Sequence, residues 1–288
     1  MTRAACATPY ESQALGVLML ELHATGTRDA RRRLRLKNAG LAISVGLAGA
    51  IAGLAVPAQA APKAEQAAPD GAAALRIARS FRAAGDARSA VPVYRTLLAR
   101  RPNDAAVQVE LADALLDTDM IDDAIGLYTA VDPASPSGGD AELGLARAQL
   151  KLNRADRALA HMDRAVQLAP TNVRVLVGRG VVLDRLGRHA DAQASYRKAL
   201  SREPRSVAAR TDLALSLALS GQYDQALEIL EPIARSAGAS AQDRQNLAFV
   251  YGLKGDKADA LAMSRVDLDE SQAQANAKFF DYARAQPR

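Results

Sequence analysis

Ala90, Ala124, Ala158, Ala192, Ala226 and Ala260 recur every 34 residues across most of the chain. Other positions keep step with them. Five residues before each alanine stand Gly85, Asp119, Asn153, Gly187, Gly221 and Gly255. These types tolerate a left-handed backbone at the end of a helix. Twelve residues before each alanine come Ala78, Ala112, Ala146, Gly180, Ala214 and Ala248, small enough for two helices to approach closely. Pro102, Pro136, Pro170 and Pro204 follow the first four alanines by twelve residues and break the chain before the next unit.

A helix–turn–helix unit repeated at this period is the tetratricopeptide repeat. The sequence therefore predicts an all-α fold, an α-solenoid superhelix of six repeats. They span 71–104, 105–138, 139–172, 173–206, 207–240 and 241–274, with a capping helix and tail over 275–288. Such arrays hold a peptide or partner in their concave groove, so the expectation is a binding and assembly role with a protein or peptide partner. Within the repeats, Pro232 predicts that the second helix of repeat five ends near Glu231. Ser271 to Arg284 reads as an amphipathic helix with Ala273, Ala277 and Phe280 on one face. Tyr94, Tyr128 and Tyr196, with Met162 between them, recur at one repeat position and read as core.

Residues 1–60 read as a leader. Arg31, Arg32, Arg33, Arg35 and Lys37 precede an uncharged apolar run from Ala39 to Val56, then Pro57 and Ala58-Gln59-Ala60. Basic region, apolar core and small-residue site in that order are a secretory signal. Cleavage at Ala60/Ala61 leaves an exported, periplasmic chain that opens with an Ala/Pro-rich linker over 61–70. The alternative is an inner-membrane anchor formed by residues 39–56, which are long enough to span a bilayer. Residues 1–30 do not fit a compact signal and read as an extended leader or an over-long start. The single cysteine, Cys6, lies before the signal, so no disulfide and no lipid-bearing cysteine are expected after cleavage.

The basic balance belongs mostly to that leader. Of 37 basic and 32 acidic residues, seven and three lie in 1–60, which leaves 30 and 29. A nucleic-acid partner loses its support. The remaining charges are segregated. No Lys or Arg lies between Arg101 and Arg147, where ten acids stand, whereas 147–210 holds fourteen basic residues and five acids. On the groove-facing positions of first helices this gives Asp113 and Asp117, then Arg147 and Lys151, then Asp184 and Arg185. Repeats five and six turn apolar there with Leu215, Leu219, Phe249 and Leu253. These ten residues are the candidate partner-binding groove, graded from charged to apolar to suit an amphipathic peptide.

Chemistry is not expected. His23, His161 and His189 have no metal-ligand spacing, no Gly-rich loop follows a strand, and no nucleophile, base and orienting acid can be assembled. The reading is of a non-enzyme, with no cofactor, metal or small-molecule substrate.

Repeats four to six carry a more specific pattern. Leu213-Ala214-Leu215-Ser216-Leu217-Ala218-Leu219-Ser220-Gly221, Ala226-Leu227-Glu228-Ile229-Leu230-Glu231-Pro232-Ile233-Ala234 and Arg244-Gln245-Asn246-Leu247-Ala248-Phe249-Val250-Tyr251-Gly252-Leu253-Lys254-Gly255 resemble the TadD family of Flp/Tad pilus assembly. Asp267-Leu268 and Asn276 extend the resemblance, which covers about 175–282. It implies an envelope protein that helps build a type IVb-like pilus, supporting the outer-membrane secretin as a pilotin does. Many relatives are lipoproteins; this chain departs from them in having no cysteine after its signal. A general periplasmic chaperone or adaptor, or an accessory protein of another envelope export system, is the alternative.

Overall fold

The computed structural model describes residues 71–285. The leader, the signal or anchor over 39–56, the linker over 61–70 and the last three residues of the tail lie outside the described residues.

The described chain is helical throughout. The helices are α1 (Gly71–Ala83), α2 (Ala87–Arg100), α3 (Ala105–Asp117), α4 (Ile121–Thr129), α5 (Gly138–Lys151), α6 (Ala155–Leu168) and α7 (Val173–Arg185). They continue as α8 (His189–Leu200), α9 (Val207–Leu219), α10 (Tyr223–Ala234), α11 (Ala241–Lys254), α12 (Lys257–Ser264) and α13 (Glu270–Ala285). Each odd-numbered helix up to α11 packs on the helix that follows it, and each even-numbered one on the first helix of the next repeat. This is a tetratricopeptide-repeat superhelix.

The six turn positions do what their residue types require. Gly85, Gly187, Gly221 and Gly255 have positive φ, and so do Asp119 at 63° and Asn153 at 57°. A short polar side chain makes that region accessible to a non-glycine. The entries to four of the first helices, α3, α7, α9 and α11, are capped. Asp104 accepts from the Val107 amide, Asn172 from Arg174 and Ser206 from Ala209, and Ser240 forms a reciprocal capping box with Asp243.

The repeat alanines sit at the helix crossings. Ala90, Ala124, Ala158, Ala192 and Ala226 are fully buried, as are Ala78, Ala112, Ala146, Ala214 and Ala248. First helices are walled in by neighbours on several sides. In α3 and α9 nearly every residue from Leu111 to Leu116 and from Thr211 to Ala218 is buried. The core runs as a ribbon in adjoining clusters, one from Ala74 to Ala148, one from Leu143 to Val182 and one from Leu183 to Ala283. No single repeat encloses a core of its own.

One boundary departs from expectation. Helix α10 does not end near Glu231; it runs through Pro232 to Ala234. Ile233 and Ala234 are buried, and the Arg235 amide donates to the Glu231 carbonyl at 3.0 Å. The proline removes one donor in the last turn, and burial of the two residues after it outweighs that loss. The final helix, α13, covers the open end of repeat six with Ala273, Phe280 and Ala283 buried. Ala277 is only half-buried.

Candidate partner-binding groove

Numbering each repeat from 1 to 34, with residue 71 as position 1, the groove candidates all fall at positions 9, 12 and 13 of first helices. Those positions also form the seam between successive first helices. Arg82 at position 12 of repeat one meets Asp113 at position 9 of repeat two, 31 residues later. The seam, more than the groove, decides where the candidate charges go.

Asp113 shows this best. Its carboxylate is almost fully buried and receives Arg82 from repeat one at 2.9 Å and Arg147 from repeat three at 2.9 Å. The Tyr128 hydroxyl donates to it at 2.6 Å. Asp117 binds the same two arginines, at 3.1 and 3.4 Å. Lys151 reaches Asp119 at 2.5 Å. Arg79 makes a bidentate contact with Glu110, and the Tyr94 hydroxyl donates to the same carboxylate at 2.9 Å. Glu110, Asp113, Asp117 and Asp119 are thus answered by basic side chains from repeats one and three. Sequence reading missed Arg79, Arg82 and Glu110. The alternation of charge between repeats was the available signal.

Repeat four breaks the pattern. Asp184 is buried and accepts from Ser216 Oγ at 2.6 Å and from the Tyr196 hydroxyl at 2.9 Å, with His189 Nδ1 at 2.8 Å. It belongs to the seam and presents nothing to a partner. Ser216, His189 and Asp184 contain the three residue types of a hydrolytic triad, but the serine donates to the acid and not to an imidazole nitrogen. Nothing here activates the hydroxyl. Arg185 has Asn153 Oδ1 at 2.9 Å and no carboxylate. Its Nη1 is buried without a partner, and burial lowers the guanidinium pKa. In Arg82 burial acts in the same direction, yet Asp113 and Asp117 more than reverse it.

The apolar end of the candidate groove is corrected by burial. Leu215, Phe249 and Leu253 are core residues, and Leu219 is half-buried. Phe249 meets Phe280 of α13 edge to face, with ring centroids 5.9 Å apart. Asn276 of α13 donates to Gln245 of α11. The terminal helix stacks on α11 as the first helix of another repeat would, and Phe249 carries that stacking instead of facing a peptide.

What remains open is a polar cleft of about 590 Å³ across α1, α3 and α5 to the start of α7. Arg79, Arg82, Glu110, Asp113 and Asp117 line it, with Asp140 and Arg174 at its far end. Arg174 stands 3.4 Å from Asp140 and is largely exposed. Ala106 and Ala83 are exposed alanines on its walls. Among the described residues no group of three or more His, Cys, Asp or Glu is placed to hold a metal ion.

Two family models described as tetratricopeptide repeat match the chain, one over 75–139, 121–173 and 143–192, the other over 185–248. The chain belongs to the tetratricopeptide-repeat proteins, a class that mediates protein–protein interaction. Among curated proteins it is 37% identical over 90 residues to the uncharacterized protein y4yS of Sinorhizobium fredii, covering 31% of this chain and 50% of that one. It is 30% identical over 150 residues to cellulose synthase operon protein C of Pseudomonas fluorescens, covering 52% of this chain and 12% of that one. The matches thus span half or less of these relatives' own lengths. Among solved structures, PilW, a type IV pilus biogenesis factor, aligns with a TM-score of 0.58 at 20% identity, over 74% of this chain and 96% of that one. At that identity the likeness is one of fold.

Proposed function

We propose that this chain is a non-catalytic scaffold of the cell envelope that assists Flp/Tad pilus or secretin assembly. It holds a segment of a pilus or secretin component in the cleft over α1, α3, α5 and α7. The observation that carries this reading is the cleft itself. It spans the first helices of four successive repeats, and its floor charges are paired, which leaves an ordered polar track for an extended segment. Support for the pathway comes from the TadD-like stretch over 175–282, and the PilW fold is compatible with it. Export across the inner membrane follows from the basic, apolar and A-x-A order of residues 31–60.

Deleting the gene and immunoblotting outer membranes for heat-resistant secretin multimers tests the pathway, with a complemented strain alongside. Loss of multimers with monomer still made supports the reading; intact multimers reject secretin assembly as its task. Ala106→Arg tests the cleft, because it fills the wall without touching a seam pair. A variant of native stability that still restores the multimers places the partner elsewhere on the molecule.

A second reading has its own observation, the 150-residue match to cellulose synthase operon protein C. On that reading the chain serves a polysaccharide export system. A deletion strain that keeps its secretin multimers and loses secreted polysaccharide selects it.

A further inference from the structure

The cations that line the cleft, Arg79, Arg82 and Arg174, have carboxylate partners, whereas on another surface five cations gather without one. Between the end of α8 and the first turn of α9 stand Arg197, Lys198, Arg202, Arg205 and Arg210, against a single acid, Glu203. None of these five side chains has an ion pair or side-chain hydrogen bond among the described residues. Four are exposed and Arg210 is half-exposed. The connection that carries them is ordered. The Arg202 and Glu203 amides both donate to the Ala199 carbonyl at 3.0 Å, and Ser206 donates to Glu203 at 3.1 Å. Pro204 fixes the backbone between them.

Helix-end complementarity accounts for Arg197 and Lys198, which lie in the last turn of α8. It does not account for Arg202, Arg205 or Arg210, which lie beyond that end. In the midst of the group, at the first turn of α9, Val207 is 50% exposed. Beneath it Leu176, Ala199 and Ala209 form a small separate core, on which Leu200 packs half-buried. The inter-repeat connection before α7 lies on the same edge of the solenoid, and Leu168, 45% exposed, ends the helix that leads into it. The edge therefore presents unneutralised cations around protruding aliphatic side chains.

We propose that this edge, centred on residues 197–210, docks on an anionic phospholipid surface. Cations meet the headgroup phosphates while Val207 enters the headgroup boundary. A segment of acidic protein could satisfy the charges but would leave the valine unexplained; basic residues flanking an exposed aliphatic are the pattern of interfacial membrane contact. Among the described residues no helix is long and apolar enough to cross a membrane, so the contact is peripheral. The inference does not depend on the pilus reading, and failure of one leaves the other standing.

The test uses the full chain, because its apolar run over 39–56 is present in every arm and a local readout separates the two. Amide hydrogen exchange over 197–210 is followed with vesicles of phosphatidylcholine alone and with phosphatidylglycerol added. The expected result is slower exchange at 201–208 only with the anionic vesicles, reversed by high salt. Partitioning attributable to phosphatidylglycerol should fall at least about tenfold when Arg202, Arg205 and Arg210 are changed to Glu. Val207→Asp should weaken it severalfold with all cations retained, and circular dichroism confirms that both variants keep their helices. Protection that is equal on neutral and anionic vesicles, or unchanged by both variants, overturns the proposal. So does protection by soluble polyglutamate with none by vesicles, which would identify an acidic protein site.

Discussion

Arg82 and Asp113 lie 31 residues apart and meet at 2.9 Å across the boundary between the first two repeats. Arg147 approaches the same carboxylate from the other side, so one buried acid ties three successive first helices together. Asp113→Ala removes the shared acceptor and leaves two half-buried guanidinium groups and the Tyr128 hydroxyl short of a partner. The expected loss of stability is about 2–3 kcal/mol, seen as a lower urea midpoint with unchanged slope. A loss below about 0.5 kcal/mol would mean that solvent replaces the carboxylate and the seam is not held by charge.

Arg82 and Arg185 offer a contrast at nearby positions. Arg82 is held by two carboxylates, whereas Arg185 is partly desolvated beside an asparagine. Arg82→Leu should cost about 1–2 kcal/mol, and Arg185→Leu should leave stability unchanged or slightly higher. If Arg185→Leu instead lowers stability as much as Arg82→Leu, its guanidinium is satisfied in a way the geometry does not reveal.

The turn glycines give a backbone prediction. Gly187 has φ 72°, and a Cβ there would meet nothing within 4 Å. Gly187→Ala should still cost about 1–2 kcal/mol, because the left-handed conformation penalises a Cβ without any clash. Thermal unfolding of this variant beside Gly238→Ala, a loop glycine without positive φ, separates conformational strain from lost space.

These residues also show what a sequence can disclose. All six turn positions were legible, since a 34-residue period with Gly, Asn or Asp at one phase leaves few backbones open. The alanine crossings and the capping helix followed from the same period. The fate of Asp113, Phe249 and Leu253 was not legible. Whether position 9 faces solvent or the next repeat depends on how far each repeat rotates against its neighbour, and no local pattern encodes that angle. Helix α10 continues past Pro232 for a related reason: propensity is local, and the burial of Ile233 that overrides it comes from packing elsewhere.

Glu270 opens α13 and gives a pH prediction at the C-terminal end. Hydrogen bonds from Arg265 first, and from Gln274, lower its carboxyl from the ordinary 4.5 to about 2. A depressed folded pKa means that the contribution is present above the ordinary value and fades as pH falls toward 2. The side chain is exposed, so the effect is confined to the end of the helix. NMR titration of the Glu270 carboxyl should give a midpoint near 2, returning toward 4.5 in Arg265→Ala. A midpoint near 4.5 in the unaltered chain would show that the contact does not persist in solution.

The tyrosine row predicts the opposite limb. Burial raises the pKa of Tyr94, Tyr128 and Tyr196, and the carboxylates Glu110, Asp113 and Asp184 that their hydroxyls bond raise it further. A raised folded pKa contributes stability that is complete below pH 10 and is lost as pH rises through the folded value. Ionisation of these three phenols inside the fold would set a phenolate against each carboxylate. They should therefore stay protonated until the solenoid opens. Absorbance at the phenolate band should show the three buried rings ionising in one step that coincides with loss of helical circular dichroism. Replacing all three by Phe costs a few kcal/mol near neutrality through lost hydrogen bonds. It should also flatten the fall of stability with pH above 10. Free titration of these three tyrosines near 10 with the helices intact would show that their hydroxyls are open to water and do not tie second helices to first helices.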